Sequence, residues 1–97
     1  AFDKPFWLQM VGTGLTTAWC AHFGSVLTHA QWPAITCMNN YADDLITEPH
    51  TIQNGLIRVP DGPGLGVTFD ESALTKYKIE PPYALEERRN IISVVWP

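Results

Sequence analysis

Apolar and polar residues alternate in period along this chain, and the changes of period mark its elements. Phe6 to Val11 (FWLQMV) is a short aromatic and aliphatic run of the kind that forms a buried strand. Pro5 closes whatever precedes it, because the residue before a proline is driven out of the helical region. Gly12-Thr13-Gly14 breaks the run. Leu15, Trp19, Phe23, Val26 and Leu27 then recur at helical spacing, which predicts a helix from Leu15 to about His29 with those residues on one face. Gly24 inside it costs about 1 kcal/mol against Ala, tolerable where a neighbour packs closely. Trp32-Pro33 ends the turn, and Ala34 to Met38 predicts a second short buried strand. Strand, glycine loop, helix and strand make one unit of a parallel α/β sheet, and two parallel strands need further strands beside them.

The second half has a different texture. Asn39 to His50 is a polar connection. Thr51 to Pro60 carries Asn54-Gly55 between apolar runs, a strong hairpin signal. Pro60 to Gly66 is a rigid turn cluster, and Val67 to Phe69 extends briefly. Asp70 is placed to cap a helix reaching about Lys78, with Ala73, Leu74 and Tyr77 on one face. Pro81-Pro82 stops continuation, and Ile91 to Trp96 (IISVVW) predicts a last strand. A hairpin and tail added to one β/α unit do not make a compact fold, so the chain is expected to be a piece of something larger. Its start at Ala-Phe-Asp-Lys-Pro without an initiator Met fits that expectation.

Composition narrows the function classes. The chain has 97 residues, 45% hydrophobic and 16% charged, with a net charge of −4. That length allows one domain at most. No basic patch is present, which argues against nucleic-acid or anionic-membrane partners. No apolar run approaches a membrane span, and the first residues lack the basic start and apolar core of a signal peptide. Cys20 and Cys37 are too few for a secreted disulfide framework, so a cytoplasmic location is expected. Of the four Trp residues, Trp7 and Trp96 lie near the ends, where a small domain has difficulty covering them, which hints at a partner surface.

Several residues invite a chemical reading that their context weakens. His22 and His29 stand seven apart on the predicted helix with Cys20 nearby, yet His22 flanks the apolar stripe and reads as a satisfied, partly buried histidine. Asp43, Asp44, Glu48 and His50 match no known cation loop, and a solvated connection fits them better. Gly62, Gly64 and Gly66 superficially look like a phosphate loop, but Pro63 interrupts them and no helix follows directly. Cys37 has no sequence-evident base and reads as a packed strand cysteine.

The stretch Asn54-Gly55-Leu56-Ile57-Arg58-Val59-Pro60-Asp61-Gly62-Pro63-Gly64-Leu65-Gly66-Val67 closely resembles the C-terminal signature of the mandelate racemase/muconate-lactonizing family of the enolase superfamily. Asp70-Glu71 and Lys76-Tyr77 follow where that family places an acidic residue and a short helix ending in tyrosine. Gln9 to Thr13 with Ala21-His22-Phe23 looks like the family's seventh barrel strand and the helix after it, and Gln31 to Cys37 like its eighth strand. The resemblance implies an α/β fold, the last strand-helix-strand unit of a modified (β/α) TIM-like barrel. Residues 1–40 would finish that barrel. Residues 41–97, a hairpin, short helix and tail, would return toward an N-terminal capping domain.

It further implies an enzyme that abstracts the proton α to a carboxylate while Mg²⁺ stabilises the enediolate. Three acidic metal ligands and a lysine base would lie on strands before residue 1, so no metal ligand is expected in this chain. Active-site groups in barrels come from the C-terminal strand ends, which makes Thr13, Gly14, Thr16, Thr36, Cys37 and Asn39 the candidates for the substrate pocket. Thr13-Gly14 replaces the histidine base that the racemase-like subgroup has at the end of strand seven. A glutamate that related members place near Thr16, and the one expected between Ala34 and Asn39, are also missing. That disfavours the His-base mechanism and favours a sugar-acid or hydroxy-acid dehydratase, with a racemase, epimerase or cycloisomerase as the alternative. The implied partners are the rest of the enzyme (strands 1–6 and the capping domain), a small carboxylate substrate and further copies in a homo-oligomer. A non-catalytic structural or oligomer-forming piece is the competing class, and a small-ligand binding module the third.

Overall fold

A computed structural model describes residues 2–79. The predicted strand at Ile91–Trp96, Pro81-Pro82 and Trp96 lie outside the described residues.

Phe6 to Gly12 runs parallel to His29 to Thr36, with isolated bridges at Phe6–Ala30 and Gln9–Ile35. The Phe6 amide donates to His29 O (3.0 Å), Ile35 N to Leu8 O (3.0 Å) and Met10 N to Ile35 O (2.8 Å). The expected parallel pairing is therefore present, but neither segment forms a continuous strand. Pro33 has no amide to give, and Gln31 N turns back to His29 O at 2.9 Å, so the ladder is broken in its middle. The expectation of buried strands is corrected as well. Phe6, Trp7, Val11 and Ile35 remain exposed among the described residues.

The helix between them, α1, spans Gly14–Ser25, shorter than the expected run to His29. It tightens at its end through Val26 N to Phe23 O and Leu27 N to Gly24 O, both 3.3 Å, three-residue closures that stop the four-residue ladder. Ser25 Oγ also donates to His22 O at 2.7 Å. Its packed face differs from expectation too. Gly14, Thr17, Ala18 and Cys20 are buried, whereas Trp19, Phe23 and Val26 from the apolar stripe are exposed at 43%, 40% and 73%. Within this chain, close-approaching loops select the small side chains. Trp19 and Phe23 meet in a tilted pair, 4.9 Å between ring centroids and 36° between planes.

The predicted second strand ends early. Cys37 takes a left-handed conformation (φ 55), and Met38–Asn40 form a short 3-10 turn. The hairpin follows expectation: β1 (Ile52–Gln53) pairs antiparallel with β2 (Leu56–Ile57). Asn54 and Gly55 have φ of 53° and 74°, the doubly positive pair that a type I′ turn needs. The second helix, α2, spans Glu71–Tyr77. Asp70 caps it as predicted, its carboxylate accepting from Ser72 N (3.0 Å) and Ala73 N (3.1 Å). Ala73 is buried, Leu74 half-buried and Tyr77 exposed on that face.

The connection from 39 to 50 is less solvated than expected. Ile46 is buried and bridges antiparallel to Phe69, with Thr47 N donating to Thr68 O and Asp70 N to Leu45 O, each at 3.0 Å. These contacts draw the connection onto the start of α2, and Asp44 O, which accepts from Gly14 N at 3.0 Å, ties it to the start of α1.

Candidate functional site

The two parallel segments end at the same place. Gly12 N donates to Thr36 O at 3.4 Å, the last link between them, and the chain then leaves each segment at Thr13 and at Cys37. Parallel pairing dictates this: segments running the same way bring their C-terminal ends to one edge, where loop residues can share a site.

Thr13 is the N-cap residue of α1, yet its side chain caps none of the helix's amides. It lines a recess of about 170 Å³ with Tyr41, Ala42, Asp43, Leu45 and Tyr77. Asp43 folds that loop locally by accepting from Leu45 N at 2.8 Å. Gly14 is buried within the chain itself. Its amide donates to Asp44 O (3.0 Å), and its carbonyl accepts from His50 Nε2 (2.7 Å). Thr16 is half-buried, its side chain folded against Gly12.

Thr36 is half-buried on the helix side of its segment. It lines a cavity of about 460 Å³ between α1 and the hairpin, with Leu8, Cys20, Gly24, Ile52 and Ile57 among its walls. Cys37 is half-buried and Asn39 exposed on the 3-10 turn. The fold thus brings Thr13, Gly14, Thr36 and Cys37 to one edge, with Asn39 just beyond it. Thr36 looks into the α1–hairpin cavity, and Gly14 is enclosed by the connection.

Thr17 links the two loops and was not among the residues expected from sequence. It is 1% exposed. Its hydroxyl donates to Thr13 O at 3.1 Å, with Met38 Sδ at 3.6 Å as the alternative acceptor. One hydroxyl hydrogen serves one acceptor at a time, and the carbonyl is the stronger. His50 was also missed as a contact, because a loop histidine 36 residues from Gly14 carries no local signal of it.

Burial pushes the Cys20 thiol up from its ordinary value, which makes it a poor nucleophile. His22 is half-buried and bonded, Nε2 to Leu65 O at 2.9 Å, as the satisfied-histidine reading expects. His29 pairs instead with Asp3 at 2.5 Å, on the opposite end of the paired segments. Among the described residues, no three His, Cys, Asp or Glu side chains stand together so as to hold a metal ion. No helix among the described residues is long and apolar enough to cross a membrane.

Residues 1–73 match the enolase C-terminal domain-like family. The chain is 36% identical over 44 residues to a D-galactarolactone cycloisomerase of Agrobacterium fabrum, covering 45% of this chain and 12% of that protein. It is 36% identical over 77 residues to an o-succinylbenzoate synthase of Enterococcus faecalis, covering 77% and 21%. Over 38 residues it is 45% identical to a D-gluconate dehydratase of Thermoproteus tenax, covering 39% and 8%. The chain therefore spans between 8% and 21% of the length of these relatives. No solved structure matches it.

Proposed function

The chain belongs to the enolase C-terminal domain-like family, and on that premise we propose that it supplies one wall of the substrate pocket in an intact enzyme that abstracts a proton α to a carboxylate. The observation that carries the reading is the shared edge where Gly12 N meets Thr36 O, because it sets the loops at Thr13 and Cys37–Asn39 side by side. In this reading the two paired segments are the last strands of a (β/α) barrel, and the edge is its catalytic face. Thr13, Cys37 and Asn39 would touch substrate. Gly14, Thr16 and Thr36, which are committed to contacts inside the chain, would shape the loops behind them.

The favoured reaction is dehydration of a sugar acid or related hydroxy acid. The match to a D-gluconate dehydratase supports it, as does the absence of a histidine or acid at residues 13–16 and 34–39. The runner-up is a racemase, epimerase or cycloisomerase, supported by the match to a D-galactarolactone cycloisomerase. Magnesium, which the family resemblance implies, would be held by residues other than those described, and no step here is routed through it. The rest of the enzyme would cover Trp7, Val11, Ile35 and the Trp19–Phe23 face, and the assembled protein would be a cytoplasmic homo-oligomer.

Proton NMR of the intact enzyme, incubated in D₂O with magnesium and a panel of sugar acids and lactones, tests this. Dehydration would show loss of the α-proton signal and appearance of a 2-keto-3-deoxy acid. Deuterium exchange or epimerisation at the α-carbon without loss of water would move the assignment to the runner-up. No exchange at the α-carbon of any acid would leave the structural, non-catalytic reading in its place.

A further inference from the structure

Gly14 is held from three directions by one short stretch of chain. Asp44 O accepts its amide at 3.0 Å, and His50 Nε2 donates to its carbonyl at 2.7 Å. Ile46 fills the space beside its Cα so closely that a Cβ there would sit 2.6 Å from Ile46 Cδ1. This matters because the first turn of α1 lacks its usual stabilisers. Thr13 makes no side-chain cap, and no acidic residue lies in the first turn. A helix leaves four amides unsatisfied at its start, and a Thr at the N-cap would ordinarily spend its hydroxyl on one of them. An N-cap side chain reaches the second or third amide of the helix and not the first. Here Asp44 O takes that first amide, of Gly14, so the 44–50 connection holds the turn from outside the helix while the Thr13 hydroxyl bonds none of its amides.

We propose that this external clamp holds the backbone beside Thr13 so that its uncapped hydroxyl meets the substrate, and that His50 is the positioning residue that holds the clamp closed. The inference rests on the pocket-wall reading given above. His50 acts through the Gly14 carbonyl: an Nε2–H donor fixes the Gly14–Leu15 peptide, next to the Thr13–Gly14 peptide whose amide Asp44 O holds, and so steadies the turn from which the Thr13 side chain projects. Thr17 braces the same turn from within, its hydroxyl on Thr13 O. The edge residue is thus held by its backbone alone and contributes its side chain to the open recess beside Tyr41 and Tyr77.

Two variants of the intact enzyme test this: His50→Leu, which removes the donor, and His50→Gln, which returns an N–H at comparable reach. Hydrogen–deuterium exchange read by mass spectrometry on the 12–18 peptide comes first. The leucine variant should speed it several-fold, up to about tenfold, the scale of one lost hydrogen bond. The glutamine variant should stay within about twofold, and the α2 peptide, a control for global folding, should not change. Unchanged exchange in a folded leucine variant overturns the clamp.

Kinetics come second. His50→Leu should raise KM for the acid that the enzyme turns over while kcat stays within about twofold, as expected when ground-state and transition-state binding fall together. Thr13→Val should do the same, and the double variant should be no worse than either single one. Additive losses, or a KM that ignores His50 while exchange responds, would show a merely structural contact and overturn the positioning role. If the intact enzyme turns over no sugar acid, the reaction proposal fails, and the exchange comparison still decides the clamp.

Discussion

Replacing Gly14 with alanine sets two magnitudes against each other. The helical position itself favours alanine, by up to about 1 kcal/mol in a helix interior and less in the first turn. The surroundings oppose it. The added Cβ would lie 2.6 Å from Ile46 Cδ1, 2.9 Å from Ile46 Cγ1 and 3.1 Å from Asp44 Cβ, against an optimum of about 3.5–4.0 Å. Rotating the Ile46 terminus relieves the first clash but not the second, and Ile46 at 4% exposed has little room to turn. Asp44 cannot retreat without lengthening the 3.0 Å bond from Gly14 N to its own carbonyl. Overpacking of this kind costs about 1–3 kcal/mol, so the net expectation is a loss of about 1–2 kcal/mol, read as a lower denaturation midpoint by urea titration. Ile46→Val removes Cδ1, at its own cost of about 0.5–1.5 kcal/mol. In that background the alanine should cost roughly half as much. A neutral or stabilising Gly14→Ala, or a loss of equal size in the Ile46→Val background, would refute the close packing of the connection on α1.

Two further outcomes follow from the turn and the cap. Gly55 has φ +74° with open space around it, so Gly55→Ala meets backbone strain rather than a clash and should cost about 1–2 kcal/mol, seen as a lower denaturation midpoint with α1 contacts unchanged. Asp70 is held below its ordinary carboxylate value, first by the Ser72 hydroxyl and then by the Ala73 and Ser72 amides. Its contribution to α2 is therefore complete above the ordinary carboxylate range and fades as pH falls through the lowered folded value. Amide exchange of the 71–77 peptide should rise on that acid limb, and Asp70→Asn, which keeps an acceptor without the charge, should flatten the dependence.

Local chemistry was legible in the sequence, and long-range packing was not. The Asn54-Gly55 hairpin and the Asp70 cap each rest on residues within a few positions of one another, so turn and capping rules reach them directly. The parallel pairing was legible as a strand-helix-strand order. Its breaks were less so, because Pro33 and the Gln31 turn interrupt a run that composition alone reads as continuous. Helical spacing identified α1 but assigned the wrong face to its interior. Periodicity records which residues avoid water in the whole protein, whereas packing within residues 2–79 is decided by which side the loops can approach closely. Of the site candidates, the edge of Thr13 and Cys37 follows from topology. Thr17 and His50 became visible only once residues 21 and 36 positions apart were brought together.

The glycine-rich turn that carried the family resemblance acquires a physical role from these contacts. It is tied to α1 by His22, whose Nε2 meets Leu65 O at 2.9 Å. Gly66 N donates to Pro63 O at 3.0 Å, which closes the turn and presents the Leu65 carbonyl outward to that histidine. Together with His50 on Gly14, the second half of the chain is pinned to α1 at its first turn and again two turns later. Two histidines from opposite partners make these ties, one on the helix and one on the connection. Each gives a single donor to a backbone carbonyl, so the register of the attachment depends on backbone positions rather than on side-chain identity at the accepting end. A signature rich in Pro and Gly is what such an attachment requires, since its turn must hold one shape while offering a carbonyl to the helix. The sequence pattern that carries the family resemblance thus supplies one of the two carbonyl–histidine ties, and the first turn of α1 receives the other.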